Sequence, residues 1–239
     1  MSFPENENGA ALVVGGTAGL GWGIARELCR RGHSLVITGR SAERTRALAA
    51  ELGDGTEGRA ADLTKPESLA ADLAGLGPIS RLCLVASVAA ENRVRSFDLT
   101  TAVQLVTAKL IGYAEVIHVL LPSLTSDCSV LLVGGHARKQ PYDGSTSVTT
   151  VNGGVASLVR SLAVELAPIR VNGLHPGPIG DSSFWQTADA AVFAAVAART
   201  LTGKLPTTSA IVEAAVFLLE NESVSGVNLD VDSGALLAP

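Results

Sequence analysis

The hydrophobic and polar positions of this chain fall into two kinds of segment that alternate from end to end. Short, continuous apolar runs predict strands buried on both faces of a parallel sheet. They lie at 11–14, 35–38, 82–85, 130–133, 171–174 and 227–231, with a weaker run near 59–61. Between them, apolar residues recur with helical spacing. The predicted helices lie at about 21–31, 41–52, 103–120, 151–166, 188–199 and 208–219.

This alternation predicts a single doubly wound α/β domain, in which seven parallel strands carry helices on both faces. We expect the domain to cover residues 10–239 and to follow a short tail at 1–9. Sheets of this kind bind ligands at the carboxyl ends of their strands. We therefore expect the functional residues to lie where the predicted strands end.

A glycine-rich turn joins the first predicted strand to the first helix. Gly15, Gly19 and Gly21 have the spacing GxxxGxG and not the commoner dinucleotide pattern GxGxxG. Such a turn lets the backbone approach a pyrophosphate, and the helix that follows offers free N–H groups and a positive dipole end. We expect this turn, with Thr17 and Leu20, to bind a dinucleotide. The alternative is a tight turn without a ligand.

The end of the second strand favours one nicotinamide cofactor over the other. Enzymes that use NAD usually place a carboxylate there, on the ribose 2′-OH. This chain has Arg40 and Ser41 instead. A guanidinium beside a hydroxyl suits a 2′-phosphate, which predicts NADP(H). After the third strand, Asp62 and Leu63 are candidates for contact with the adenine, although Asp62 could instead cap a helix beginning near Pro66.

Composition and charge restrict the partners. The chain has 47% hydrophobic and 17% charged residues and a net charge of −5. The high hydrophobic and low charged content excludes a disordered chain, and the mild acidity argues against a nucleic-acid partner. We expect a small-molecule substrate.

The cysteines and the longest apolar helix bear on location. Cys29, Cys83 and Cys128 are widely spaced and form no CxxC pair, which predicts reduced thiols in a cytoplasmic protein and no metal site. The helix at 103–120 carries Lys109 and Glu115, so we expect no membrane span.

Five motifs, two of which contain residues described above, indicate a family resemblance. They are VVGGTAGLG at 13–21, ADL at 61–63, SLAVELAPIRVN at 161–172, HPGPI at 175–179 and GVNLDVDSGALL at 226–237. With them the chain resembles the short-chain dehydrogenase/reductase family. The resemblance implies a Rossmann fold, a nicotinamide cofactor and a homodimer or homotetramer. It also implies cofactor contacts from Ala86, Pro176, Gly177 and Ile179, and a substrate lid near 178–205.

The catalytic positions of that family are not matched. Its serine, tyrosine and lysine fall here at Gly135, Val148 and Asn152. Valine cannot carry a proton, so the usual proton relay is predicted to be absent. The family's helical asparagine falls at Lys109, as if lysine and asparagine had exchanged places. The resemblance therefore indicates a divergent member.

Three residues are candidates for the missing chemistry. Lys109 could bring its ammonium to the place of the usual lysine, with Asn152 as its hydrogen-bond partner, or be an ordinary surface lysine. His136 directly follows Gly135, and an unperturbed imidazole titrates near neutral pH. A structural role for His136 is the alternative.

Three functions remain open. The first is an NADPH-dependent reductase of a ketone, or of a conjugated C=C or C=N bond, in a small apolar metabolite, with non-standard proton delivery. The second is non-redox catalysis, such as cyclisation, dehydration or isomerisation. The third is a cofactor-binding subunit without catalysis. We favour the first because the cofactor motifs are retained.

Overall fold

In the computed structural model, which describes residues 9–238 apart from 54, 87, 89, 90, 187 and 188, the strands form one seven-stranded parallel sheet. Its order is β3-β2-β1-β4-β5-β6-β7. The strands are β1 Ala10–Val14, β2 Leu35–Gly39, β3 Thr56–Ala60, β4 Ile79–Leu84, β5 Leu124–Val133, β6 Arg170–Pro176 and β7 Asn228–Val231. The predicted fold class is confirmed, while the predicted tail lies outside the described residues except for Gly9.

The helices connect the strands in the predicted order. They are α1 Gly19–Arg30, α2 Ala42–Leu52, α3 Leu69–Asp72, α4 Leu99–Val106, α5 Gly112–Leu120, α6 Thr146–Glu165, α7 Ala190–Ala197 and α8 Thr208–Glu220. Short 3-10 helices occur at Pro66–Ser68, Leu121–Ser123, His136–Arg138, Ser183–Gln186 and Ala235–Leu237.

Each face of the sheet has its own aliphatic core. On one face, Leu12, Leu82 and Val130 pack against α3, α5 and α6. On the other, Val13 and Cys83 pack against α1, α2 and α8. Neighbouring residues of one strand enter opposite cores, which is why the strands are continuous apolar runs. The sheet is buried on both sides and leaves its strand ends for ligands.

The strand order reverses beside β1. The chain first builds outwards from β1 through β2 to β3, and it then returns to place β4 on the other side of β1. The connections after β1 and β4 therefore diverge and leave a crevice between them. In open α/β sheets this topological switch point is where ligands bind.

One helical segment crosses the face of the sheet beside this crevice. Helices α4 and α5 are joined without a break by a π-helical turn, Thr107–Ile111. Within the described part of the chain, the segment Leu99–Ser123 is long and apolar enough to cross a membrane by length and composition. Its inner side chains, Tyr113 and Val116 among them, pack in the core. Core packing therefore accounts for the apolar character of this inner side, whereas Leu99 and Val103 are exposed on the outer side.

Candidate functional site

A cavity of about 540 Å³ opens at the switch point. It lies beyond the carboxyl ends of the central strands, where the glycine-rich turn faces the loop after β4. The described residues that line it are Gly15, Thr17, Ala18, Leu20, Gly21, Gly39, Arg40, Ala61, Asp62, Leu63, Thr64, Val85, Ala86, Val88, Ala108, Lys109, Val133, Gly134, Pro176, Gly177 and Ile179. All the cofactor residues expected from the sequence are among them, apart from Gly19 and Ser41.

The glycine-rich turn is folded too tightly for side chains at Gly15 and Gly21. Gly15 has a φ of +89°, and a Cβ there would lie 2.6 Å from the backbone nitrogen of Ala86. A Cβ on Gly21 would overlap the carbonyl oxygen of Gly15. Gly19 also has a positive φ, and no described atom lies near the position of its Cβ. The glycines bring β1 and the loop after β4 together and leave one side of the turn open.

The start of α1 has free hydrogen-bond donors. Its cap, Ala18, contributes no side-chain hydrogen bond, and no acidic residue occupies the first turn. The first backbone N–H groups of a helix have no partner within the helix, and its dipole makes this end positive. An anion such as a pyrophosphate fits here, because the end combines free donors with open space.

Arg40 lies on the same cavity, at the end of β2. Its side chain is exposed and forms no ion pair or hydrogen bond with the described residues. The neighbouring Ser41 caps α2, where its hydroxyl oxygen accepts a hydrogen bond of 3.3 Å from Arg44 N. Asp62 accepts hydrogen bonds from Thr64 N and Oγ1, at 3.0 and 2.8 Å, in a local turn and not as a helix cap.

Lys109 lies on the inner wall of the cavity, in the π-helical turn. Its side chain is buried, and Nζ donates a hydrogen bond of 2.8 Å to the carbonyl oxygen of Val133. The expectation that Asn152 would be its partner is wrong, because the backbone acceptor at the end of β5 takes that place. Among the described residues no carboxylate pairs with Lys109, and burial lowers its pKa from 10.5 to about 8. Two N–H groups of the ammonium remain for a ligand.

Tyr113 supports the lysine from one helical turn further on. It is completely buried, and its hydroxyl lies 3.0 Å from the carbonyl oxygen of Ala86 and 3.3 Å from that of Val133. The ring centroid lies 6.0 Å from Lys109 Nζ. Burial raises the pKa of Tyr113 far above its ordinary value, so the phenol stays protonated. Tyr113 thus ties the loop after β4 to the end of β5.

Asn152 is buried in α6 beside Gly135. A Cβ on Gly135 would lie 2.8 Å from Asn152 Nδ2, so the amide takes the space that a larger residue at position 135 would need. The Asn152 side chain does not line the cavity that contains Lys109, as far as the described residues show. The structure thus places both residues near the end of β5 without bringing them into contact.

The histidines near the end of β5 have different environments. His136 lines a second, smaller cavity and does not line the one with Lys109. His175 is fully buried, accepts a hydrogen bond from Gly135 N at Nδ1 and faces Asn228 Oδ1 with Nε2 at 2.7 Å. Burial lowers the pKa of His175 to about 4, so it stays neutral and has a structural role.

The segment 178–205, predicted as the substrate lid, follows the end of β6. It contains the 3-10 helix Ser183–Gln186 and α7, and Trp185 packs edge-to-face against Phe193 with ring centroids 5.1 Å apart. Asp181 is bound to the start of α8, where it accepts hydrogen bonds from Thr208 N and Oγ1. These hydrogen bonds lower the pKa of Asp181, so its carboxylate fixes the beginning of the segment.

Sequence reasoning missed part of the site. The carbonyl oxygen of Val133, which holds Lys109, carries no sequence signal because every residue has one. Ala61 and Val85 each lie at the end of a strand. They could have been predicted, because ligands bind at the carboxyl ends of the strands in such sheets. Arg199, on the second cavity, carried no motif at all.

Comparison with known proteins gives a consistent result. The family model described as Enoyl-(Acyl carrier protein) reductase matches residues 14–235. Short-chain dehydrogenase/reductase ATR9 of Stachybotrys chlorohalonatus is 26% identical and covers 98% of this chain and 100% of its own. The 3-oxoacyl-[acyl-carrier-protein] reductase of Bos taurus is 26% identical over 94% of this chain and 97% of its own.

A solved structure agrees over the full length. A short chain dehydrogenase/reductase family protein superimposes with a TM-score of 0.86 at 26% identity and covers 98% of this chain and 100% of its own. The sheet order, the cavity at the switch point and the matched span point to one family of oxidoreductases. The chain belongs to the short-chain dehydrogenase/reductase family.

Proposed function

We propose that this protein is an NADPH-dependent reductase of a small carbonyl compound or conjugated C=C or C=N compound, in which Lys109 replaces the usual proton relay. The observation that carries the proposal is the position of Lys109. Its buried ammonium, with no carboxylate partner among the described residues, lies in the cavity that the glycine-rich turn opens.

The residues present fit the cofactor. The tight turn at Gly15 and the free donors at the start of α1 would hold the pyrophosphate. Asp62 and Leu63 would face the adenine, while the segment from Pro176 to Ile179 would lie against the nicotinamide. The cavity, at about 540 Å³, lies in the size range of cofactor sites. When bound, the cofactor would supply a hydride.

Arg40 supports NADPH over NADH. Its guanidinium lies on the cavity without a carboxylate partner among the described residues, at the strand end where enzymes that use NAD place an acid. A 2′-phosphate would neutralise that guanidinium through charge-assisted hydrogen bonds. Ser41 remains a predicted contact, although its hydroxyl oxygen already accepts a hydrogen bond as the cap of α2.

Lys109 would supply the proton in place of a tyrosine. At the family's serine, tyrosine and lysine positions we place Gly135, Val148 and Asn152, none of which exchanges protons at neutral pH. An amine whose pKa is about 8 is mostly protonated at neutral pH and gives up its proton more readily than an ordinary lysine. The two N–H groups that Val133 leaves free would reach either a cofactor hydroxyl or the substrate oxygen.

The cofactor part of the proposal is tested by a binding comparison. Arg40→Ala should weaken NADPH binding by about 10- to 100-fold and change NADH binding less than about threefold, because only NADPH carries the 2′-phosphate. Isothermal titration of both cofactors measures this. Arg26→Ala, which removes an exposed arginine away from the cavity, is the control. Equal losses for the two cofactors would rule out the assignment.

Non-redox catalysis is the second candidate, and one observation favours it. We assign Val148 to the position of the family's tyrosine, and with that assignment the standard redox site would be incomplete. A redox reaction lowers the NADPH absorbance at about 340 nm as product forms. Product formation at constant absorbance would replace the reductase proposal with this one.

A further inference from the structure

A second cavity of about 230 Å³ adjoins the first. Pro178 lines it, whereas the flanking Gly177 and Ile179 line the first cavity. On the other side, Gly134 lines the first cavity and His136 the second. The two cavities therefore share the chain segments after β5 and β6. The described residues around the second are His136, Gln140, Pro141, Tyr142, Pro178, Val196, Arg199, Thr200, Leu205 and Ala235.

One positively charged side chain on this cavity, that of Arg199, has no acidic partner among the described residues. Arg199 is exposed at its edge and forms no ion pair or side-chain hydrogen bond with the described residues. The nearby carboxylates are already engaged. Asp230 pairs with Arg138 and Lys139 at 2.7 and 2.8 Å, and Asp232 accepts hydrogen bonds from backbone N–H groups at the start of the last 3-10 helix. One guanidinium is thus left for an anionic ligand.

His136 supplies an uncharged polar contact in the same cavity. Neither ring nitrogen forms a hydrogen bond with a described residue, and Nδ1 is buried without a partner. Burial lowers the pKa of His136, while Asp230 and Asp232 raise it to a smaller extent. A neutral imidazole can donate to or accept from an uncharged oxygen.

Much of the remaining wall is apolar, and the space is small. Its apolar part comes from Pro141, Pro178, Val196, Leu205 and Ala235, which lie beside the polar side chains of Gln140, Tyr142 and Thr200. The volume of 230 Å³ is about that of seven or eight waters and lies below the usual range for drug-sized ligands. A compact organic acid fits in such a space.

We propose that the second cavity binds the substrate, and that this substrate is a compact carbonyl compound whose carboxylate is held by Arg199 and whose apolar body lies between Pro141, Val196 and Leu205. One part of this assignment rests on the proposed function. It is the position of the reacting carbon, which is expected beside the first cavity. The recognition of the carboxylate depends only on the residues of the second cavity.

Binding, rather than turnover, tests this proposal. Acetoacetate and levulinate are titrated against the full-length protein by ligand-observed NMR, with their methyl esters as uncharged partners. In the wild type each acid should bind at least about tenfold more tightly than its ester, as expected for a charge-assisted hydrogen bond. Arg199→Gln should remove this preference, and Arg199→Lys should keep part of it. Arg160→Gln, an exposed arginine on α6, is the matched control and should behave as the wild type.

The outcomes separate this proposal from the proposed function. Equal affinity for acid and ester in the wild type, no binding of either acid, or a preference that survives in Arg199→Gln would each overturn it. NADPH binding is measured in parallel on every variant and should not change. If the Arg199-dependent preference holds but NADPH is never consumed, the reductase proposal fails and the carboxylate site stands.

Discussion

Lys109 has opposite effects on the proposed chemistry and on stability. Its buried ammonium is the proposed proton donor, but burying that charge destabilises the folded protein. Burial lowers its pKa from 10.5 to about 8, so the unfolded chain binds this proton more tightly than the folded one. Between these two values stability rises with pH, and below about pH 8 the full penalty of burying the charge is present. Lys109→Met should therefore raise the free energy of unfolding at pH 7, by up to about 3 kcal/mol before the loss of the bond to Val133 is subtracted.

Urea unfolding of the cofactor-free protein at about pH 7 and about pH 10 measures this effect. The advantage of the methionine variant should shrink at the higher pH, because the buried amine is then largely neutral in the folded protein and little of the penalty for burying its charge remains. Lys65→Met makes the same replacement at an exposed lysine and is the control. A difference in stability between the methionine variant and the wild type that is the same at both pH values would contradict the assignment of a buried, unpaired charge to this site.

At the scale of elements, the turn between β1 and α1 combines two constraints. Gly15 and Gly32 have nearly the same backbone, with φ values of +89° and +86°. A Cβ at Gly15 would meet Ala86, whereas nothing lies within 4 Å of one at Gly32. Both alanine variants should lose about 1–2 kcal/mol for the left-handed conformation. Gly15→Ala should lose about 1–3 kcal/mol more and bind NADPH at least tenfold more weakly.

Urea unfolding and fluorescence titration with NADPH compare the two variants. Gly32→Ala should keep wild-type affinity, because its turn follows α1 and does not line the cavity. If both variants lost equal stability and kept equal affinity for NADPH, the close approach of the turn to the loop after β4 would contribute neither to stability nor to NADPH binding.

The elements themselves could be predicted from the sequence where burial is uniform. The run at 130–133 predicted only the end of β5, which begins at Leu124, because Ser126 and Asp127 interrupt the apolar pattern while the backbone stays extended. The strand β3 is partly buried and has little apolar character, which is why its signal was weak. The π-helical turn around Lys109 had no signal, since its residues also fit a regular helix.

At the scale of the whole molecule, the first cavity could be predicted and the second could not. Most residues of the first lie at or just after the ends of strands, so strand order brings Arg40, Asp62 and Pro176 together. The second cavity collects residues from four separate segments, and no local pattern marks Arg199. Its assembly depends on how the segment 178–205 packs, which is set by contacts such as that of Asp181 with Thr208.

The outer side of α4 gives a prediction about assembly. Leu99, Val103 and Val106 repeat at helical spacing and are 67%, 54% and 37% exposed. An apolar stripe on the surface is typical of an interaction site, and we propose that it meets a second copy of the chain in a homodimer or homotetramer. Light scattering after size-exclusion chromatography should give one of these masses for the wild type. Val103→Glu should yield smaller species, because a carboxylate in a buried interface would have no partner.

Val192→Glu is the matched control for that experiment. Val192 is 52% exposed, almost the same fraction as Val103, but it lies on α7. The charge introduced is identical, so a general effect of acidity would act on both variants alike. The stripe on α4 is an interface if the dissociation constant of the oligomer is at least about 100-fold higher in Val103→Glu than in Val192→Glu. A monomeric wild type, or equal behaviour of the two variants, would instead leave α4 an exposed apolar surface without a role in assembly.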